Sequence, residues 1–224
     1  MADHRPRALI FDVNETLSDL SPMAGRFADV GAPGHLAQTW FAQVLRDGFA
    51  LASVDASHAF AHIADGALRV ALHYQPLDRD IDAAVSHVLD GFADLDVHDD
   101  VPGGIAALHA KDLTLVTLSN GSATVADSLL TRAGIRQHFV CLLSVEDVGH
   151  WKPRAEAYRF ALGQVGLEPY EAMLVAVHPW DIDGAARAGL ATAWINRDGV
   201  PYPEHFRGAD LVATSIIDLS DQLP

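Results

Sequence analysis

The most constraining feature of the chain is the uninterrupted apolar run Ala8-Leu9-Ile10-Phe11, which ends in Asp12 and continues as Val13-Asn14-Glu15-Thr16-Leu17. Consecutive bulky apolar residues without alternation describe a strand buried on both faces, the condition met in a parallel sheet covered by helices. In open sheets of this kind ligands collect beyond the carboxyl ends of the strands. Asp12 stands at such an end and is a candidate catalytic carboxylate. Its plain alternative is a turn-capping aspartate.

The remaining strands repeat the theme. Apolar segments Leu113–Leu118, Phe139–Leu143, Ala172–Val177 and Ala191–Ile195 read as strands, with a short edge strand near Leu211 and Val212. Between them lie helical patterns: Ile105 to Lys111, a helix reaching Gly134, one carrying Ala157, Phe160, Ala161 and Leu162, and one ending at Gly189. Val101-Pro102-Gly103-Gly104 reads as the junction that opens this half. Strands alternating with helices predict an α/β protein with a Rossmann-like, doubly wound parallel sheet. From about Met23 to His98 only helical periodicity is found. Trp40, Phe41, Val44 and Leu45 share one face. Asp55 is a candidate cap for a helix through Ile63, Leu68 and Leu72, and Asp78 for one through Ile81, Val85 and Val88. The expected division is therefore an α/β core of residues 1–15 and 99–224, interrupted by a helical unit of residues 16–98.

A net charge of −15 argues against nucleic acid and anionic membranes as partners, since phosphate neutralisation requires clustered Lys and Arg. A small-molecule substrate is the expected partner. No apolar stretch is long enough to span a bilayer, and the stretch Met1–Pro6 lacks the apolar region of a signal peptide. The single cysteine, Cys141, permits no intrachain disulfide, reads as a small buried hydrophobe, and fits a reducing, cytoplasmic setting.

Each strand end presents chemistry: Asp12 and Thr16 from the first, Ser119 and Asn120 from the second, Lys152 after the third, Asp181 after the fourth. Singly, each is an ordinary turn, cap or surface residue. Jointly they resemble the haloacid dehalogenase superfamily. The resemblance is carried by Phe11-Asp12-Val13-Asn14-Glu15-Thr16-Leu17, Leu118-Ser119-Asn120-Gly121, Lys152-Pro153 with Tyr158, and Trp180-Asp181-Ile182-Asp183-Gly184-Ala185. It is nearest to the L-2-haloacid dehalogenase branch. The resemblance implies that the helical unit is a cap over Asp12 and that Asp12 is a covalent nucleophile. Lys152 would neutralise charge beside it, and Asp181 would orient Lys152 or the hydrolytic water. Thr16, Ser119 and backbone N–H groups after Asn120 would hold the substrate carboxylate, with Asn14, Trp40, Phe41, Tyr158 and Trp180 completing the pocket. No metal or cofactor is implied, and a homodimer is a possible assembly.

Two positions separate the reactions hosted by this scaffold. Phosphatases of the superfamily carry a general-acid aspartate two residues after the nucleophile, where this chain has Asn14. They also carry a carboxylate for Mg²⁺ five residues before the position of Asp181, where it has Ala176. Halide leaves without a proton and needs neither group. The chain differs from the dehalogenase pattern at Phe41, where the family's cap arginine is expected, and at Ala176 and His178, where a serine and an asparagine are. Glu15 stands at a usual glycine. His178 is either a structural histidine or a base that replaces the missing hydroxyl and amide. The rival readings are cleavage of another carbon–heteroatom bond, a weak phosphatase, and a binding protein that kept the fold. His58 and His62, four apart, read as solvated histidines, and Asn196-Arg197-Asp198-Gly199 as a turn with Arg197 paired locally.

Overall fold

The computed structural model describes residues 5–224; the first four residues of the stretch Met1–Pro6, read above for a signal peptide, lie outside the described residues. Six strands, β1 (Ala8–Phe11), β2 (Thr114–Ser119), β3 (Phe139–Ser144), β4 (Ala172–Ala176), β5 (Ala191–Ile195) and β6 (Leu211–Ala213), form one sheet in the order β3-β2-β1-β4-β5-β6. All the pairings are parallel. The chain winds outward from β1 to β3, then returns to β4 on the other side of β1. That reversal leaves a crevice between β1 and β4 at their carboxyl ends.

The period of two along each strand divides the core. Ala8 and Ile10 enter one apolar cluster with α7 (Ala155–Val165) and α8 (Pro179–Ala188). Leu9 and Phe11 enter another with α5 (Asp100–His109) and α9 (Ile216–Gln222). All four β1 side chains are fully buried, which for Phe11 alone is worth about 2–3 kcal/mol. Helix α6 (Ala123–Arg132) follows β2 and starts with Ser122 accepting the N–H of Thr124. Among the described residues no helix is long and apolar enough to cross a membrane.

Between β1 and α5 lie four helices, α1 (Met23–Ala28), α2 (Leu36–Ser53), α3 (Phe60–Leu72) and α4 (Ile81–Ala93). Their buried faces, including Phe27, Trp40, Phe41, Ile63, Leu68, Val85 and Val88, belong to the same apolar cluster as one face of the sheet. The helices are thus cemented onto the sheet rather than cored separately.

Local expectations are corrected in four places. Asp55 does not cap α3: it sits at φ 58 and pairs with Arg154, and Ala59 precedes the helix instead. The α4 cap is Asp80, which accepts the N–H of Ala83 at 2.9 Å, whereas Asp78 pairs with Arg79. Pro102, Gly103 and Gly104 lie inside α5; a Cβ at Gly104 would stand 2.6 Å from Ile216 Cγ2, so α9 packs where no side chain is. Arg197 reaches across the fold to Asp100 at 3.1 Å and the Thr16 carbonyl at 3.1 Å. Cys141 is half-buried, and burial raises its thiol pKa.

Candidate active site

Register places Asp12 one residue beyond β1, its N–H bonded to Val175 O of β4 at 3.0 Å. The carboxylate is buried, with 3% of the residue exposed. Lys152 Nζ donates to Asp12 Oδ1 at 2.8 Å and to Asp181 Oδ2 at 2.7 Å. Thr16 Oγ1 donates to Asp12 Oδ2 at 2.7 Å and accepts the N–H of Val177 at 3.1 Å. Tyr158 OH donates to Asp181 Oδ1 at 2.6 Å. Lys152, Asp181 and Tyr158 are fully enclosed. Three carboxyl-end segments and α7 therefore converge on one ammonium held between two carboxylates.

Burial alone raises the Asp12 pKa, but the charges of Lys152 and His178 and the bonds from Lys152 and Thr16 outweigh it and hold the carboxyl below its ordinary range. Asp181 moves the other way. Its burial, reinforced by the Asp12 charge, exceeds what Lys152 and Tyr158 return. Burial lowers the Lys152 pKa, yet the two carboxylates more than compensate and raise it. Burial, Asp181 and its hydrogen bond push Tyr158 well up. The ionised form is thus favoured at Asp12, the position most open to a substrate.

His178, between β4 and α8, brings Nε2 to 3.6 Å from Asp12 Oδ2, 3.6 Å from Glu15 Oε2 and 3.2 Å from the Asn14 carbonyl. Its ring stacks on Trp180 at 5.0 Å and on Phe41 of α2 at 6.4 Å. Phe41 in turn meets Phe60, and Phe60 meets Trp151 and Phe92, so an aromatic wall runs from the helical unit to the crevice. Lys152 Nζ lies 5.9 Å from the centre of the Trp180 ring.

Two openings flank this group. A cleft of about 630 Å³ is lined by Glu15, His35, Gln38, His98, His178 and Arg197, among others. A smaller, largely apolar cavity of about 270 Å³ is lined by Asn14, Phe60, Phe92, Ser119, Gly121 and Val125, among others. Ser119 Oγ accepts the N–H of Gly121 at 2.8 Å and keeps its own proton for another acceptor.

Several residues singled out in the sequence serve other ends. The hydroxyl of Thr16 has one proton and gives it to Asp12, so it is not available to a substrate carboxylate. The Asn120 carboxamide is committed to the backbone of Lys152, accepting its N–H at 2.9 Å and donating to its carbonyl at 3.4 Å. Trp40 is fully buried and donates its indole N–H to Ala64 O at 3.0 Å; it is a core residue of the helical unit and lines neither of these two openings. Asp183 turns outward to Arg187 at 2.7 Å and the N–H of Arg207 at 3.1 Å. The rings of His58 and His62 meet at a tilt with centres 5.3 Å apart, and among the described residues no group of three or more His, Cys, Asp or Glu is arranged to hold a metal.

Two participants were not picked out as site residues from the sequence. Glu15 adopts φ 62, a left-handed conformation that costs a side-chain-bearing residue roughly 1–2 kcal/mol and glycine nothing. The family's usual glycine at this position was the available signal. Trp151 is 1% exposed and donates to His58 O at 3.0 Å; an isolated tryptophan in a loop gives no sequence signal of such a role.

The site suits displacement by an ionised carboxylate, with a positively charged neighbour and a histidine nearby. It suits a divalent metal poorly. The space between Asp12 and Asp181 is bridged by the Lys152 ammonium, Ala176 offers no side-chain oxygen, and Asp183 is engaged elsewhere.

The family model for haloacid dehalogenase-like hydrolase matches residues 6–189. The chain is 30% identical over 213 residues to the (S)-2-haloacid dehalogenase of Pseudomonas sp. strain YL, covering 94% of this chain and 91% of that protein. It is 28% identical over 201 residues to (S)-2-haloacid dehalogenase 4A of Burkholderia cepacia, covering 89% and 86%. A crystal structure of a dehalogenase with an intermediate complex superposes with a TM-score of 0.91 at 26% identity, covering 100% of this chain and 99% of that one.

Proposed function

The chain belongs to the haloacid dehalogenase-like hydrolases, and on that premise we propose that it hydrolyses small (S)-2-haloalkanoic acids through a covalent ester on Asp12. The observation that carries this reading is the Asp12–Lys152–Asp181 triad, which keeps Asp12 ionised without a metal, beside Asn14, which cannot donate a proton to an alkoxide. The (S) preference is taken from the names of the relatives.

Asp12 Oδ attacks C2 of the substrate from the side opposite the halogen. The C–O bond forms as the C–halogen bond breaks, and halide departs with its electron pair. Lys152 keeps the carboxylate ionised while Thr16 fixes its orientation. The substrate carboxylate accepts the free proton of Ser119, the last residue of β2, just ahead of α6, whose unpaired N-terminal backbone N–H groups favour an anion. With Phe41 in place of the family's arginine, the leaving halide meets aromatic ring edges, which carry partial positive charge. Water then attacks the ester carbonyl of Asp12. His178 takes its proton as general base, and the neighbouring Glu15 stabilises the imidazolium that forms. Collapse breaks the bond from the Asp12 carbonyl carbon to the alkoxide oxygen; the His178 imidazolium returns its proton to that alkoxide, the 2-hydroxy acid leaves with inversion at C2, and the second proton of the water passes to solvent as the Asp12 carboxylate is restored. Helices α1 to α4 act as the cap, because Phe41, Phe60 and their neighbours enclose the reacting atoms from that side.

The test is incubation of wild type and Asp12→Asn with 2-chloropropionate and 2-bromobutyrate without added metal. Halide release and intact mass are followed. Wild type is expected to release halide and Asp12→Asn none. No halide from either substrate, or Mg²⁺-dependent phosphate release from simple monoesters instead, would overturn the proposal.

A further inference from the structure

Lys152 does not reach its position unaided. The strap Trp151-Lys152-Pro153-Arg154 is held at every residue, and on both sides of Lys152 it is held by the helical unit. Trp151 enters a slot in that unit, its indole N–H on the His58 carbonyl at 3.0 Å and its ring parallel to Phe60 at 6.0 Å. The floor of the slot is Gly48 of α2, and a Cβ there would overlap Cε3 and Cζ3 of the indole. Arg154 Nη1 donates to Ala52 O at 3.0 Å and pairs with Asp55, both at the carboxyl end of α2. On the core side Asn120 brackets the Lys152 backbone. Gly184 of α8 leaves room for Pro153, since a Cβ there would stand 2.6 Å from Pro153 Cβ. The two positions without a side chain, Gly48 and Gly184, are thus the walls of a channel for this strap.

We propose that Trp151 is a positioning residue: seated on Gly48, it couples the docking of helix α2 to the placement of the Lys152 ammonium between Asp12 and Asp181. Lys152 is joined to Trp151 by one peptide bond, so a displaced indole moves the lysine backbone. The ammonium has no slack, because both of its carboxylate contacts are already at hydrogen-bond distance. A misplacement of about 1 Å at such a site can cost about 100-fold in rate. The kinetic part of the inference rests on the dehalogenase reading, but the coupling itself does not.

The experiment compares wild type, Gly48→Ala, Trp151→Phe and the double variant. One readout is independent of activity: the rate at which acetic anhydride acetylates Lys152, read by peptide mass on folded protein. The others are kcat, KM and the pH dependence of the halide burst with 2-chloropropionate. Gly48→Ala is expected to acetylate Lys152 at least several-fold faster, to lose about tenfold or more in kcat with KM within twofold, and to move the acid limb of the burst upward. Trp151→Phe shortens the ring, so adding it to Gly48→Ala should recover part of the loss. Acetylation, kinetics and pH dependence all equal to wild type in Gly48→Ala would overturn the coupling. So would a loss that the double variant does not relieve and that follows melting temperature alone. Absence of halide release from wild type, with faster acetylation in Gly48→Ala, would sink the dehalogenase reading and leave the coupling standing.

Discussion

At the scale of single residues the site is a contest between burial and charge. Burial pushes both aspartates toward neutrality, yet only Asp12 is brought below its ordinary range, because Lys152, His178 and Thr16 all act on it. Asp181 lacks the histidine and shares the same ammonium, so it stays raised. The distinction between a nucleophile and its partner is therefore one of neighbours. His178 was open to two readings in the sequence, and its place beside Asp12 and Glu15, 3.6 Å from each, is the ground on which the base role is proposed. In His178→Ala the displacement step should survive while ester hydrolysis slows by about 10²–10⁴-fold. Quenched samples analysed by intact mass should then show the ester accumulating after one equivalent of halide. Turnover at the wild-type rate would refute the role. Asp12, Lys152 and Asp181 were legible because each lies in the segment that follows a recognisable strand. Thr16 and Asn120 were legible as members of the group but not in their partners, since hydrogen-bond commitments depend on which segments meet.

At the scale of elements the strands were easier to read than the helix ends. Buried parallel strands carry their own signature, and β5 falls where its apolar run does, at Ala191–Ile195. Helix caps are one-residue decisions among several acidic neighbours, and Asp55, Asp78 and Asp80 compete within one region. The structure chooses Asp80, whose carboxylate meets the N–H of Ala83. Asp80→Ala is accordingly expected to cost about 1 kcal/mol, seen as a lower urea midpoint. Asp78→Ala, which breaks only an exposed pair with Arg79, should stay within about 0.5 kcal/mol. A drop for Asp78→Ala as large as that for Asp80→Ala would contradict the assignment. Helix α5 was truncated in the sequence reading because Pro102-Gly103-Gly104 suggests a turn. Proline is tolerated in a first helical turn, where its missing N–H has no partner to lose, and Gly104 is required by the approach of Ile216.

At the scale of the whole molecule, one ammonium joins segments from β1, β4 and the strap that the helical unit clasps. Its removal should be felt globally, since taking away one member of a buried ion pair typically costs about 3–5 kcal/mol. The pH dependence has a definite sign. Lys152 is raised above its ordinary 10.5 in the folded protein, so its contribution is complete below that value and disappears as pH rises through the folded pKa. Melting temperatures of wild type should therefore fall more steeply above pH 10.5 than those of Lys152→Met, which lacks this component. Equal alkaline slopes would show that the pairing adds nothing to stability. Apolar run length and periodicity by themselves determined the α/β class, the helical insertion between the first two strands, and which polar residues stand at strand ends. These are local properties, set by which faces of a segment must leave water. Only the tertiary structure decided which of those residues touch, that Trp40 is core while Trp151 is a wedge, and that Glu15 turns toward His178. Those outcomes depend on contacts between residues far apart in the chain, 140 positions for Asp12 and Lys152 and 161 for Thr16 and Val177, and no local pattern encodes such a distance.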